Sequence, residues 1–242
     1  MAGISSENPR PPPSAARNTL RKVVRNVLKR VLCFGDSNTW GYDPETCGRY
    51  GEEVRWTGVC RRLLTDGFRI LEDGINGRTT VFEDPYVPYR CGRPALCYAL
   101  MAQRPLDALV LYLGTNDLKY TDARGSARGA EELLRLARNA NECLESYTGL
   151  IFPREPKLLL IAPTPIRPEI AKRFPSDLLS GRAEESARLA EWYRAAAEKW
   201  GAAFLDAGSA AEAGEADCVH LSAEAHRAVG EAAAASIRAL FD

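Results

Sequence analysis

Three short segments of this chain carry groups that could do chemistry together. Ser37 stands in Phe34-Gly35-Asp36-Ser37-Asn38-Thr39-Trp40-Gly41, directly after the apolar run Val31–Phe34. That places a serine at the C-terminal edge of a short buried strand, where ligands and catalytic groups collect in an open α/β sheet. A serine is a weak nucleophile and needs a base. The chain has two histidines, and His220 follows Asp217 by three residues in Asp217-Cys218-Val219-His220, so an acid could orient its ring. Between these segments Leu113-Gly114-Thr115-Asn116-Asp117 sets a side-chain amide at another strand end. Taken singly, Gly-Asp-Ser is a common turn, Asn-Asp an Asx turn, and His220 a surface histidine ahead of a helix capped by Ser222. Together, nucleophile, base, acid and amide donor are the inventory of acyl transfer.

The elements that must hold these groups alternate. Val31–Phe34, Phe68–Glu72, Ala108–Leu113, Lys157–Ala162 and Ala203–Asp206 read as strands. Trp56–Leu64, Pro94–Ala102, Ala127–Tyr147, Arg182–Trp200 and Ser222–Leu240 have helical periodicity. Five strands alternating with helices imply a mostly parallel sheet covered on both faces, a three-layer α/β/α sandwich. No internal repeat is visible, and no Gly-x-Gly-x-x-Gly or P-loop pattern occurs to cradle a nucleotide or flavin phosphate.

The chain resembles the SGNH (GDSL-type) hydrolases over about residues 29 to 241. Gly35-Asp36-Ser37, Gly114-Thr115-Asn116-Asp117 and Asp217-x-x-His220 look like the first, third and last blocks of that family. The second block is looser, in Glu72 to Thr80, where Gly77 best matches the family's oxyanion glycine and Gly74 is the alternative. Asp-Ser-x-Thr-Trp-Gly, Val54-Arg55-Trp56-Thr57-Gly58 and Gly-Arg-Thr-Thr resemble the bacterial arylesterase/acyltransferase branch. Position 38 departs from it, with Asn where Leu is common, and Gly77 stands where the nearest members carry Ala.

The resemblance implies a flavodoxin-like strand order 2-1-3-4-5 and a serine esterase acting on short-chain aryl or alkyl esters. Acyltransferase or perhydrolase side activity would go with it. Ser37, His220 and Asp217 would form the triad. The Ser37 and Gly77 backbone N–H groups and the Asn116 amide would bind the oxyanion. A carbohydrate acetyl esterase with the same mechanism is the alternative, and a flavodoxin-like module that binds without turnover is the third reading. Trp40, Tyr42 and Trp56 could line a substrate pocket or belong to the core. Arg78 and Arg93 could meet an anionic substrate or lie on the surface, Asp36 and Asp117 support their turns, and His226 is structural or exposed. A small ester is the expected partner, with no metal and no organic cofactor. A homo-oligomer is implied, with 43–54 and 166–179 as contact loops too long for plain βα connections.

Composition fits one α/β domain. Of 242 residues 45% are hydrophobic, the share of an ordinary globular protein. No apolar run is long enough to span a bilayer and no secretory h-region is visible. Formal net charge is zero, which leaves no footprint for nucleic acid. Seven scattered cysteines without a Cys-x-x-Cys pair read as reduced thiols in a cytoplasmic protein. Residues 1–28 are expected to be a basic, Pro-rich, flexible extension and 29–242 the hydrolase domain. Within residues 1–30 seven basic side chains stand against Glu7 alone. Thr19–Arg30 has helical spacing, and membrane contact by such a short basic helix is the less favoured reading beside a solvated extension.

Overall fold

The computed structural model describes residues 28–144 and 149–242. Its centre is a sheet of five strands: β1 (Lys29–Gly35), β2 (Phe68–Gly74), β3 (Ala108–Tyr112), β4 (Lys157–Ala162) and β5 (Ala203–Asp206). The order is β2-β1-β3-β4-β5, and every pairing is parallel. This is the expected order 2-1-3-4-5. Register puts Gly35 beside Gly74 on one side and Tyr112 on the other, so the strand ends that carry the motifs line up along one edge.

Both faces of the sheet are buried, which is why the strands read as unbroken apolar runs. Side chains alternate with a period of two. Val31, Cys33, Val110, Tyr112, Leu159 and Ile161 point to one core, shared with α1 (Trp56–Leu63) and the last helix, Ala223–Ala239. Leu32, Phe34, Leu109, Leu111, Leu158 and Leu160 point to the other, under Gly92–Gln103, Ala123–Arg138 and Leu189–Lys199. Burying one such Leu or Val contributes about 1.5–3 kcal/mol.

The structure redraws several expected elements. Lys29 and Arg30 open β1 instead of closing a helix: Arg30 N–H donates to Asp107 Oδ2 at 2.8 Å, and its guanidinium to the Pro105 and Gln103 carbonyls. The rest of the expected Thr19–Arg30 helix lies outside the described residues, apart from exposed Leu28, as does nearly all of the 1–28 extension. The helix expected over 127–147 starts earlier, at Ala123, because Asp122 Oδ1 caps it by accepting from Gly125 N–H at 2.7 Å. It stops at Arg138, where the Asn139 amide donates back to the Arg135 carbonyl, a local bond that competes with helix continuation. Ala140–Cys143 adds one turn, and 145–148 fall outside the described residues. The 182–200 helix divides at Arg188. Sequence periodicity gave no sign of the two-residue strands Tyr42–Asp43 and Gly48–Arg49, an antiparallel ribbon within the expected insertion. Among the described residues no helix is long and apolar enough to cross a membrane.

Candidate active site

The chain leaves β1 through Gly35, and only glycine fits. An added Cβ would sit 2.1 Å from Thr39 Oγ1 and 2.4 Å from the Tyr112 carbonyl oxygen. The chain then makes a single helical turn, Ser37–Trp40. Asp36 caps it, its Oδ1 accepting from Asn38 N–H at 3.0 Å, and Gly41 ends it in the left-handed region, donating its N–H to the Ser37 carbonyl at 2.8 Å. Burial pushes the Asp36 carboxyl up to about 6, against the pull of the Asn38 N–H, His220, Arg78 and Lys119. Ser37 is held at the start of this turn with 7% of its surface open.

His220 arrives from the loop before the last helix. Asp217 Oδ1 accepts the backbone N–H of Val219 at 3.0 Å and of His220 at 2.9 Å, so the loop folds around its own acid. Asp217 Oδ2 then lies 2.5 Å from His220 Nδ1, and His220 Nε2 lies 2.8 Å from Ser37 Oγ. Burial would raise the Asp217 carboxyl, but the hydrogen bond and charge of His220, with the two backbone N–H groups, hold it below the usual carboxylate range. Asn38, the departure noted in the sequence, ties the two loops together: its Oδ1 accepts from Leu221 N–H at 3.0 Å. Nothing in its local sequence pointed to that partner 183 residues away.

The opposite wall is built by two more strand ends. Gly77 has φ +78°, and a Cβ there would lie 2.5 Å from Arg90 Nε. Gly74 sits instead against the Trp40 backbone, so Gly77 is the glycine at the cavity. After β3, Thr115–Lys119 forms a short 3-10 turn that presents Asn116. The Asn116 amide donates to the Arg78 carbonyl at 3.3 Å, and Asn116 Oδ1 accepts from Lys119 Nζ at 2.7 Å. Asp117 lies beneath, fully buried and pushed up to about 7 by desolvation. It accepts from Thr80 N–H, Thr80 Oγ1 and Ser126 Oγ, which orders the turn as expected.

Ser37, Gly77, Asn116 and His220 line one cavity of about 420 Å³. Phe174, Leu178 and Leu179, from the long segment after β4, close its far side, and sequence reasoning had not assigned them there. A larger concavity of about 600 Å³, walled by Glu45, Arg167 and Arg227, contains none of the four reactive groups. Of the expected pocket aromatics, only Tyr42 lines the cavity, its ring 4.6 Å from that of His220. Trp56 is a correction: it is fully buried, donates from Nε1 to Thr39 Oγ1 at 3.3 Å and meets Tyr112 edge-on, so it is core beneath the serine turn. Trp40 does not line the cavity either; its ring lies under the Arg49 guanidinium.

Arg78 is also a correction. It is buried at 3% exposure, donates to the Gly35 and Asp73 carbonyls and to Asp73 Oδ1, and covers the Phe34 ring, so it faces structure and not substrate. Arg93 lies 3.5 Å from Glu132 on the surface. His226 is buried in the last helix against the start of α1, accepting from Trp56 N–H at 3.3 Å, and desolvation lowers its ring to about 3. Among the described residues no three His, Cys, Asp or Glu side chains are grouped to hold a metal ion.

The profile of the GDSL-like lipase/acylhydrolase family matches residues 33–228. Among solved structures, a carbohydrate acetylesterase from Sinorhizobium meliloti is 34% identical, with a TM-score of 0.80 over 88% of this chain and all of that one. The native M. smegmatis aryl esterase is 33% identical, with the same TM-score and coverage. A member of the lipolytic G-D-S-L family from Veillonella parvula, at 17% identity and TM-score 0.61 over 85% of this chain and 96% of that one, shares the fold. Comparison with curated proteins gave no match.

Proposed function

Since the chain belongs to the GDSL-like lipase/acylhydrolase family, we propose that it hydrolyses short-chain carboxylic esters, aryl or alkyl, through a covalent acyl-enzyme. The observation that supports this best is the unbroken chain of hydrogen-bond distances from Asp217 through His220 to Ser37, 2.5 and 2.8 Å, opening into a cavity.

In this reading His220 Nδ1–H donates to Asp217, which fixes the tautomer and leaves Nε2 free to accept the Ser37 proton. Ser37 Oγ attacks the ester carbonyl. The carbonyl oxygen becomes an oxyanion and is met by the Ser37 and Gly77 N–H groups and by the Asn116 amide. Collapse of the tetrahedral intermediate expels the alcohol, which takes the proton from His220. Water then repeats the cycle on the acyl-enzyme and releases the acid. An alcohol or peroxide in place of water gives acyl transfer or perhydrolysis.

A second reading, removal of acetyl groups from sugars, is favoured by the polar lining of the cavity: Asp36, Asn76, Thr115, Lys119 and Asp177 offer donors and acceptors to hydroxyl groups. The similarity to the carbohydrate acetylesterase points the same way. A panel of nitrophenyl esters of increasing acyl length, run beside acetylated xylo-oligosaccharide, separates the two. A sulfonyl fluoride probe should label Ser37 and no other serine, and labelling elsewhere would overturn the mechanism. The reading extends to a homo-oligomer, because Phe174 and Leu178 are exposed by 37% and 69% at the cavity rim, where a second copy would cover them. Light scattering should give a mass above that of one chain.

A further inference from the structure

We propose that Lys119 is a positioning residue that sets the orientation and donor strength of the Asn116 amide. The inference rests on the oxyanion role given to Asn116 above. A primary amide has nearly the same shape after a half-turn about its last bond, yet one end donates and the other accepts. Shape alone therefore does not keep the NH₂ end pointed at a developing oxyanion.

Two neighbours make the choice in this chain. An ammonium has donors and no acceptor, so Lys119 Nζ, 2.7 Å away, pairs only with Asn116 Oδ1. A carbonyl only accepts, so the Arg78 carbonyl at 3.3 Å pairs only with Asn116 Nδ2. Both select the same orientation, and the second Nδ2 hydrogen is left for the cavity. The geometry is local. Lys119 closes the 3-10 turn that contains Asn116, three residues later, and residues so spaced eclipse one another in this kind of helix. Both side chains line the cavity.

The charge adds a second effect. A cation on the amide oxygen draws electron density from the nitrogen, which makes its N–H a stronger donor, as linked hydrogen bonds polarise one another. Burial and then Arg90 lower the Lys119 ammonium, while Asp177, Asp84 and Asp36 hold it up.

The test is a double-mutant cycle with a nitrophenyl ester. Asn116→Ala should lower kcat about a hundredfold, the scale for one lost oxyanion donor. Lys119→Met should lower kcat about tenfold with KM unchanged, because it weakens a contact made only in the transition state. Lys119→Gln, which keeps a donor without the charge, should fall between Met and wild type. In the Asn116→Ala background, Lys119→Met should cost less than twofold more. If it costs the same factor in both backgrounds, Lys119 does not act through Asn116 and the inference fails. If Asn116→Ala itself leaves kcat unchanged, the oxyanion reading fails first. Should Lys119→Met not fold, as judged by its melting temperature, the cycle is run with Lys119→Gln, and full additivity there overturns the proposal equally.

Discussion

The two walls of the cavity are fixed by different means. The Ser37 and His220 wall is held by side-chain oxygens that accept main-chain N–H groups: Asp36 caps the serine turn, Asp217 accepts two N–H groups of its own loop, and Asn38 accepts Leu221 N–H. The Gly77 and Asn116 wall is held by charged side chains. Arg90 pairs with Asp84 at 2.8 Å, Arg78 with Asp73 at 2.8 Å, and Lys119 bonds Asn116. On the first wall the two carboxylates each reach N–H groups no more than three residues away, and Asn38 clamps one loop to the other. On the second, the Arg90 end of its pair is partly open to solvent and can be screened, while Arg78 is buried behind Asp73. The half that makes and breaks bonds is thus tied to nearby N–H groups, and the half that receives charge is tied by pairs of charged side chains.

The comparison is broken most severely by removing the reacting groups. Ser37→Ala and His220→Ala should each lower kcat by about 10⁴-fold or more with the melting temperature nearly unchanged. Ester hydrolysis and thermal unfolding on the same samples check this, and residual wild-type rate in either variant would remove the serine mechanism. Asn38→Leu attacks the same wall through its clamp. It strands a buried Leu221 N–H, at a cost of about 1–3 kcal/mol, so the melting temperature should drop and kcat fall with it. A variant as stable as wild type would mean the clamp contributes nothing.

Gly77→Ala tests the other wall. A positive φ and contact with Arg90 should cost about 1–2 kcal/mol in denaturant unfolding, and shortening Arg90 should recover only the contact part.

The smallest effect on rate concerns His226. Its ring is buried and titrates near 3 in the fold against 6.5 when free, so the unfolded chain binds the proton first. Stability from this group is complete above about 6.5 and is lost as pH falls from there toward 3. Asp36 and Asp117, raised to about 6 and 7, run the other way: the fold binds their protons first, so they add stability as pH falls through those values. His226→Gln should therefore flatten the acid loss relative to wild type while leaving kcat/KM within about twofold. Equal acid sensitivity in the two proteins would assign the loss to other groups.

The placement of Ser37 and Asn116 was readable because each follows the end of a strand, and a parallel sheet delivers all its C-terminal ends to one edge. Asp217 and His220 were readable instead from their own spacing in the loop before the last helix. The strand order came from the family resemblance. The misassignments have one cause. Trp56 and Arg78 have side chains that suit a pocket or a core equally, and which they join depends on where Thr39, Phe34 and Asp73 lie in space. Asn38 and Lys119 were missed as structural partners because a hydrogen-bond partner leaves no periodicity in a sequence. Phe174 and Leu179 were hidden in a loop whose length was noted but whose path toward the cavity was not inferable.

The packing of Arg90 on Gly77 bears on how this site can change. Position 77 and position 90 compete for the same volume, since a methyl on the first would fall within 2.5–2.9 Å of three atoms of the second. Alanine at 77 pushes the Arg90 side chain aside, and that movement loosens the partner of Asp84. The cost of alanine at 77 should therefore depend on the residue at 90, and the two replacements should not be additive.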